Sequence, residues 1–200
     1  MTTTGNWGDP DNPPVPAVPA DDGGIIWIIG DTAIESNYGD GVGAILNGEV
    51  VVCCADPPED TSISNNAGFG FGLWMGGGLF FWDQTLVEGN LRGGVSVDSS
   101  EAYLSPTVLI SGNGDPSDPN SYGRPVISSN ARVQTNATVI DNDGPGVFAS
   151  GGATVSFGPS AVMTGNRGYG VELEAASTAH RRREPVCSSA RNRSQSDTDT

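Results

Sequence analysis

Asparagine returns in a fixed setting at Asn37, Asn66, Asn90, Asn113, Asn142 and Asn166, with separations of 29, 24, 23, 29 and 24 residues. The repeat is a unit of about 24 residues with two five-residue insertions. Three positions before each Asn stands Ile34, Ile63, Val87, Ile110, Val139 or Met163. Two positions earlier stands Thr32, Thr61, Thr85, Val108, Ala137 or Ala161. Small, β-branched or apolar residues at a spacing of two mark a strand with one buried face.

Further along each unit come Val42/Ala44, Phe71/Leu73, Val95/Val97, Val147/Ala149 and Val171/Leu173. Only the Asn113 unit departs, where residues 112–123 divert into a polar, Pro-containing loop. A third apolar pair follows as Val50/Val52, Leu79/Phe81, Ala102/Leu104 and Val155/Phe157. Gly39/Gly41, Gly68/Gly70, Gly144/Gly146 and Gly168/Gly170 lie between the first two groups, with Arg92 replacing the first Gly in the third unit. A sharp turn with positive φ is the expected reason for this Gly-x-Gly.

Each unit thus carries three short strands that cannot bury a face alone, whereas copies stacked about 4.8 Å apart place like on like. The expected fold is all-β: a right-handed parallel β-helix, or solenoid, of about six coils over residues 25–174. A side-chain amide has two donors and one acceptor group, so the six Asn are expected to bond along the axis as a ladder and satisfy a buried turn. A β-sandwich is the alternative, because run spacing alone fits both. Six units in three independent apolar registers favour the solenoid.

Leu, Ile, Val and Phe make up 42 of 200 residues, which implies a thin, repetitive core. The formal net charge is −15, and five of the nine basic residues lie between Arg181 and Arg193. Residues 1–178 hold 21 Asp and Glu against four Arg, a balance that repels phosphate backbones and anionic membranes. Nucleic acid is therefore not an expected partner, and no apolar run is long enough to predict membrane insertion. Residues 1–24 read as a Pro-rich acidic extended leader without the charged and apolar regions of a signal peptide. Residues 175–200 lose the repeat, are rich in Arg and Ser, and read as a disordered tail at the edge of a fragment. Cys53 and Cys54 are adjacent and Cys187 stands alone, so neither a disulfide framework nor CxxC metal spacing is expected.

Residues 34–45 (IESNYGDGVGAI), 61–73 (TSISNNAGFGFGL), 85–97 (TLVEGNLRGGVSV), 139–148 (VIDNDGPGVF) and 162–173 (VMTGNRGYGVEL) resemble right-handed parallel β-helix repeat proteins. The resemblance covers residues 25–174 and is to surface-protein repeats of the polymorphic outer membrane protein type and the pectate lyase-like superfamily. It implies an architecture and an extracellular or cell-surface setting. The same repeat serves lyases, hydrolases, epimerases and adhesins, so no activity follows from it.

Carboxylates come first among candidate chemical groups, since glycan-cleaving β-helices pair two acids across a glycosidic bond. Asp141 and Asp143 flank Asn142 and are the best pair. Of Glu35, Ser64, Gly89, Gly112 and Gly165, taken as the row shared with Asp141, only Glu35 is acidic. The repeats lack the His-containing and basic motifs of such hydrolases, and Arg92, Arg124 and Arg132 read as surface residues. Calcium is weighed for Asp115-x-x-Asp118-x-Asn120 and for Asp141-x-Asp143-Gly144, but neither forms a complete EF-hand or nonapeptide loop, and both read as turn caps. No G-x-S-x-G, HExxH or P-loop motif occurs, and His180 lies in the tail.

Trp74, Phe80 and Trp82 cluster in one unit, and alternation points Phe81 inward and Phe80 and Trp82 outward. Such a strip suits sugar stacking or contact with a partner, and lateral packing is the competing reading. Asn136-Ala-Thr138 forms a glycosylation sequon that acts only in a secreted chain. The expected function is a non-catalytic extracellular or cell-surface module, structural or binding a polysaccharide or another surface, with no cofactor. A polysaccharide lyase or glycoside hydrolase using Asp141 and Asp143 is the alternative.

Overall fold

The computed structural model describes residues 2–4, 16–54, 60–117 and 126–181. Every regular element among them is a β-strand, and 21 strands form three seven-stranded sheets in which all neighbours pair in parallel. Sheet A stacks Thr2–Thr4, Thr32–Glu35, Thr61–Ser64, Thr85–Glu88, Val108–Ser111, Thr138–Ile140 and Val162–Thr164. Sheet B stacks Val18–Ala20, Val42–Ile45, Phe69–Trp74, Gly93–Asp98, Val126–Ser129, Val147–Ser150 and Val171–Leu173. Sheet C stacks Ile25–Ile28, Glu49–Val52, Gly78–Phe81, Glu101–Leu104, Arg132–Thr135, Thr154–Phe157 and Thr178–Arg181. Each turn of the chain gives one strand to each sheet, so the molecule is a parallel β-helix, and the coils are numbered one to seven along it.

The coils number seven where about six are expected, because strand pairing runs past residues 25 and 174 at both ends. Val18–Ala20 pairs with Val42–Ala44 although it contains Pro19, which an edge strand accommodates because one side has no neighbour to receive an N–H. Thr178–Arg181 pairs with Thr154–Phe157 and carries His180 into sheet C. The Asn113 unit also rejoins the repeat, with Val126 opposite Val95 and Val133 opposite Ala102. An insertion in one corner lengthens the loop without shifting the stack.

The core is a column of like residues. Ile34, Ile63, Val87, Ile110 and Val139 are opposite one another in sheet A and fully buried. Sheets B and C meet across coil three, where Phe71 and Phe81 pack edge to face with ring centroids 4.9 Å apart. No described strand stacks beyond the last coil, and Val171 and Leu173 are exposed where Val147 and Ala149 are buried.

The Asn ladder is continuous from Asn37 to Asn166. Each Nδ2 donates to Oδ1 of the next Asn at 2.8–3.0 Å, and each Oδ1 also accepts the backbone N–H of the preceding Asn at 2.9–3.1 Å. The second Nδ2 proton of Asn66, Asn90, Asn113, Asn142 and Asn166 reaches back to a sheet A carbonyl of the previous coil. Buried amides are thereby satisfied without water.

Positive φ falls one residue before each ladder Asn, at Ser36, Asn65, Gly89, Gly112, Asp141 and Gly165, with φ between 53° and 67°. None of the Gly-x-Gly residues adopts it, which corrects the expected reason for that motif. The second Gly is needed because its Cα faces the ladder. A Cβ on Gly70 would sit 2.7 Å from the Gly94 carbonyl oxygen and 3.0 Å from Asn90 Nδ2, and Gly41 and Gly146 are confined in the same way. Gly170, in the open last coil, has no atom within 4 Å of that point. Gly70→Ala is therefore expected to cost about 2 kcal/mol in chemical denaturation and Gly170→Ala about zero. Equal costs would contradict confinement by the ladder.

Cys53 and Cys54 are joined to each other by a disulfide, which the sequence reading did not anticipate. The bond closes a small ring between consecutive residues and links no separate segments, so it cross-links no coils. Cys187 lies outside the described residues.

Candidate functional site

Two corners and one flat face hold the groups singled out from the sequence. At the corner between sheets A and B, Asp141 and Asp143 line a shallow cavity of about 320 Å³ with Asn113, Asn142, Gly165 and Arg167. Asp143 is held by Arg167, whose Nη1 donates to Oδ1 at 2.8 Å. Asp141 is exposed in the left-handed region, with its carboxylate folded over Gly165, where a side chain would collide with it. One acid is thus neutralised by an ion pair and the other belongs to a turn. The pairing also corrects the row assigned to Asp141. Glu35, Ser64, Glu88, Ser111 and Ile140 are opposite one another, so Asp141 shares its row with Ser36, Asn65, Gly89, Gly112 and Gly165. That row contains no second acid.

Asp115 accepts the Ser117 N–H at 2.8 Å and the Ser117 hydroxyl at 2.6 Å, while Asp118 and Asn120 lie outside the described residues. No group of three His, Cys, Asp or Glu that could hold a metal occurs among the described residues. No helix of the described residues is long and apolar enough to cross a membrane. Asn136 of the sequon is half-buried, with its side chain packed against Gly158.

The outer face of sheet C gathers the aromatics. Register places Trp27, Val51, Phe80 and Tyr103 in one column on successive coils. Beside it Trp82 stacks on Tyr103 with centroids 5.1 Å apart and rings inclined by 32°. Trp27 and Trp82 are more than half exposed, as are Ile25 and Ile29, and Phe81 faces the core. Neither Trp27 nor Tyr103 stood out in the sequence, because they reach Phe80 only through the stacking register.

The neighbouring column on this face runs Ile25, Glu49, Gly78, Glu101, Arg132 and Thr154. It opens into a shallow cavity of about 340 Å³ lined by Ser99, Glu101, Asn130, Arg132 and Thr154. Coils one, three and four therefore present aromatic rings with Val51 low between the first two, and coils four to six present hydroxyl, amide and charged groups.

Trp74 does not join this face. It ends a sheet B strand, and its ring lies over Gly72 beside Asp40. Asp40 is 2 % exposed and accepts the Phe69 N–H at 2.7 Å. Burial raises its pKa to about 6, against the lowering effects of the Phe69 bond and the charge of Arg92. Trp74 is thus a cover for a buried carboxyl, on a different face from Phe80 and Trp82.

Fold and surface define an all-β parallel solenoid with an internal Asn ladder and an aromatic outer face. No family model, curated protein or solved structure matches the chain.

Proposed function

We propose that the protein is a non-catalytic glycan-binding module working outside the cell or at its surface, with the outer face of sheet C as its binding face. One observation carries this reading: exposed Trp82 packs on half-buried Tyr103, which shares a register column with exposed Trp27 and half-buried Phe80. Flat exposed rings suit the apolar faces of pyranose sugars, and the adjoining polar cavity suits their hydroxyls. The rigid sheet fixes the rings before any ligand arrives, which limits the entropy lost on binding. The resemblance to repeats of surface proteins of the polymorphic outer membrane protein type points to the same setting.

The catalytic alternative is weaker because glycoside hydrolysis needs two carboxyl groups with separate roles at one bond. Here Asp143 is tied to Arg167, and Asp141 has no acid in its row. A glycan array tests the proposal. The intact chain is expected to retain neutral polysaccharides, and Trp82→Ala to lose them with its melting temperature unchanged. Retention by Trp82→Ala at the level of the unsubstituted chain would contradict it, as would binding by neither protein.

A further inference from the structure

We infer that the ligand is a neutral, extended β-1,4-linked polysaccharide lying along the solenoid axis, in a track from Trp27 on coil one to the polar cavity at coils four to six. This rests on the glycan-binding reading and adds the direction, length and charge of the ligand.

Direction follows from the register. Trp27, Phe80 and Tyr103 belong to one column parallel to the axis, and the Arg132–Thr154 end of the neighbouring column continues in the same direction. Trp27 and Phe80 are two coils apart, about 10 Å at a rise near 4.8 Å per coil. That is close to one disaccharide of an extended chain, so the same pyranose face meets a ring at both positions. Val51, on the intervening coil, is 9 % exposed and leaves a low apolar floor beneath the other sugar.

Linkage and charge follow from the same surface. An extended equatorially linked chain keeps its rings in a flat ribbon, which a flat sheet can follow and a coiled α-linked chain cannot. Glu49 and Glu101 flank the track, with Arg132 placed 3.9 Å from Glu101. In a chain of net charge −15 these acids repel uronic acids and sulfated sugars and accept hydrogen bonds from neutral hydroxyls.

Titration calorimetry with cellobiose, cellotetraose, cellohexaose and hexagalacturonate tests the track on the full chain. The hexaose is expected to bind at least tenfold tighter than the disaccharide, with hexagalacturonate showing no measurable binding. Trp27→Ala is expected to lower hexaose affinity about tenfold and leave cellobiose unchanged, since the short ligand is held at Trp82 and Tyr103. Both rings are exposed, and unchanged circular dichroism confirms that each variant is folded. Equal affinities for cellobiose and cellohexaose, both lost in Trp82→Ala, would overturn the track and leave the glycan-binding module standing. Binding of hexagalacturonate as tight as cellohexaose would overturn the assignment of charge. Binding of none of the four, with an array that retains other glycans, would overturn the inference alone, and an empty array would overturn both.

Discussion

Replacing Asn90 by Ala is expected to destabilise the protein by about 4 kcal/mol, among the largest effects of any single substitution on this fold. Asn90 is fully buried at the middle of the ladder. Its Oδ1 accepts both the backbone N–H and Nδ2 of Asn66, and its Nδ2 donates to Ile63 O and Asn113 Oδ1. Truncation leaves two donors of Asn66 without a partner where water cannot reach them, and each such loss costs about 1–3 kcal/mol. Asn166 is half-buried in the open last coil, and its truncation is expected to cost about 1 kcal/mol. Urea denaturation of the two variants measures the contrast. Equal, small losses would mean that strand stacking alone sets the register.

The second large effect has the opposite sign. Asp40→Asn is expected to stabilise the protein by about 3 kcal/mol above pH 7 and by almost nothing at pH 4. The native state holds the Asp40 proton up to a pKa of about 6, whereas the unfolded chain releases it near pH 4. Between those values the native state binds more protons than the unfolded state, so the Asp40 contribution falls as pH rises and reaches its full penalty above pH 6. Asn keeps an oxygen to accept the Phe69 N–H and has no charge to bury. Thermal melts of both proteins from pH 4 to pH 8 follow the difference directly. A constant difference across that range would show that Asp40 is ionised in the fold at all these values.

The sequence exposed the ladder and three apolar registers because stacking repeats the same demand in every coil. An inward Ile at position 34 forces an Ile or Val at 63, 87, 110 and 139. The left-handed residue before each Asn was harder to see, since Asn65, Gly89, Gly112, Asp141 and Gly165 have only a tolerance of positive φ in common and Ser36 falls outside it. That shared tolerance was the available signal. The first coil was obscured by proline, although Asn6 stands 31 positions before Asn37 and two after Thr4, as Asn37 stands two after Glu35. Asn6 itself lies outside the described residues.

Aromatic grouping was legible only within one unit. Phe80 and Trp82 were found, but proximity along the chain added Trp74, which the corner between sheets B and C carries to another face. Register then supplied Trp27 and Tyr103 from 53 residues before and 23 residues after Phe80. Outward positions bear no packing constraint from coil to coil, so their columns vary in residue type and do not show as periodicity.

The tryptophan indoles offer the most direct test of where ligand binds. In a nitrogen–proton correlation spectrum titrated with cellohexaose, the Nε1–H signals of Trp27 and Trp82 are expected to shift together with one saturation curve, while that of Trp74 stays in place. A shift of Trp74 with Trp27 and Trp82 unmoved would contradict the assignment of sheet C as the binding face.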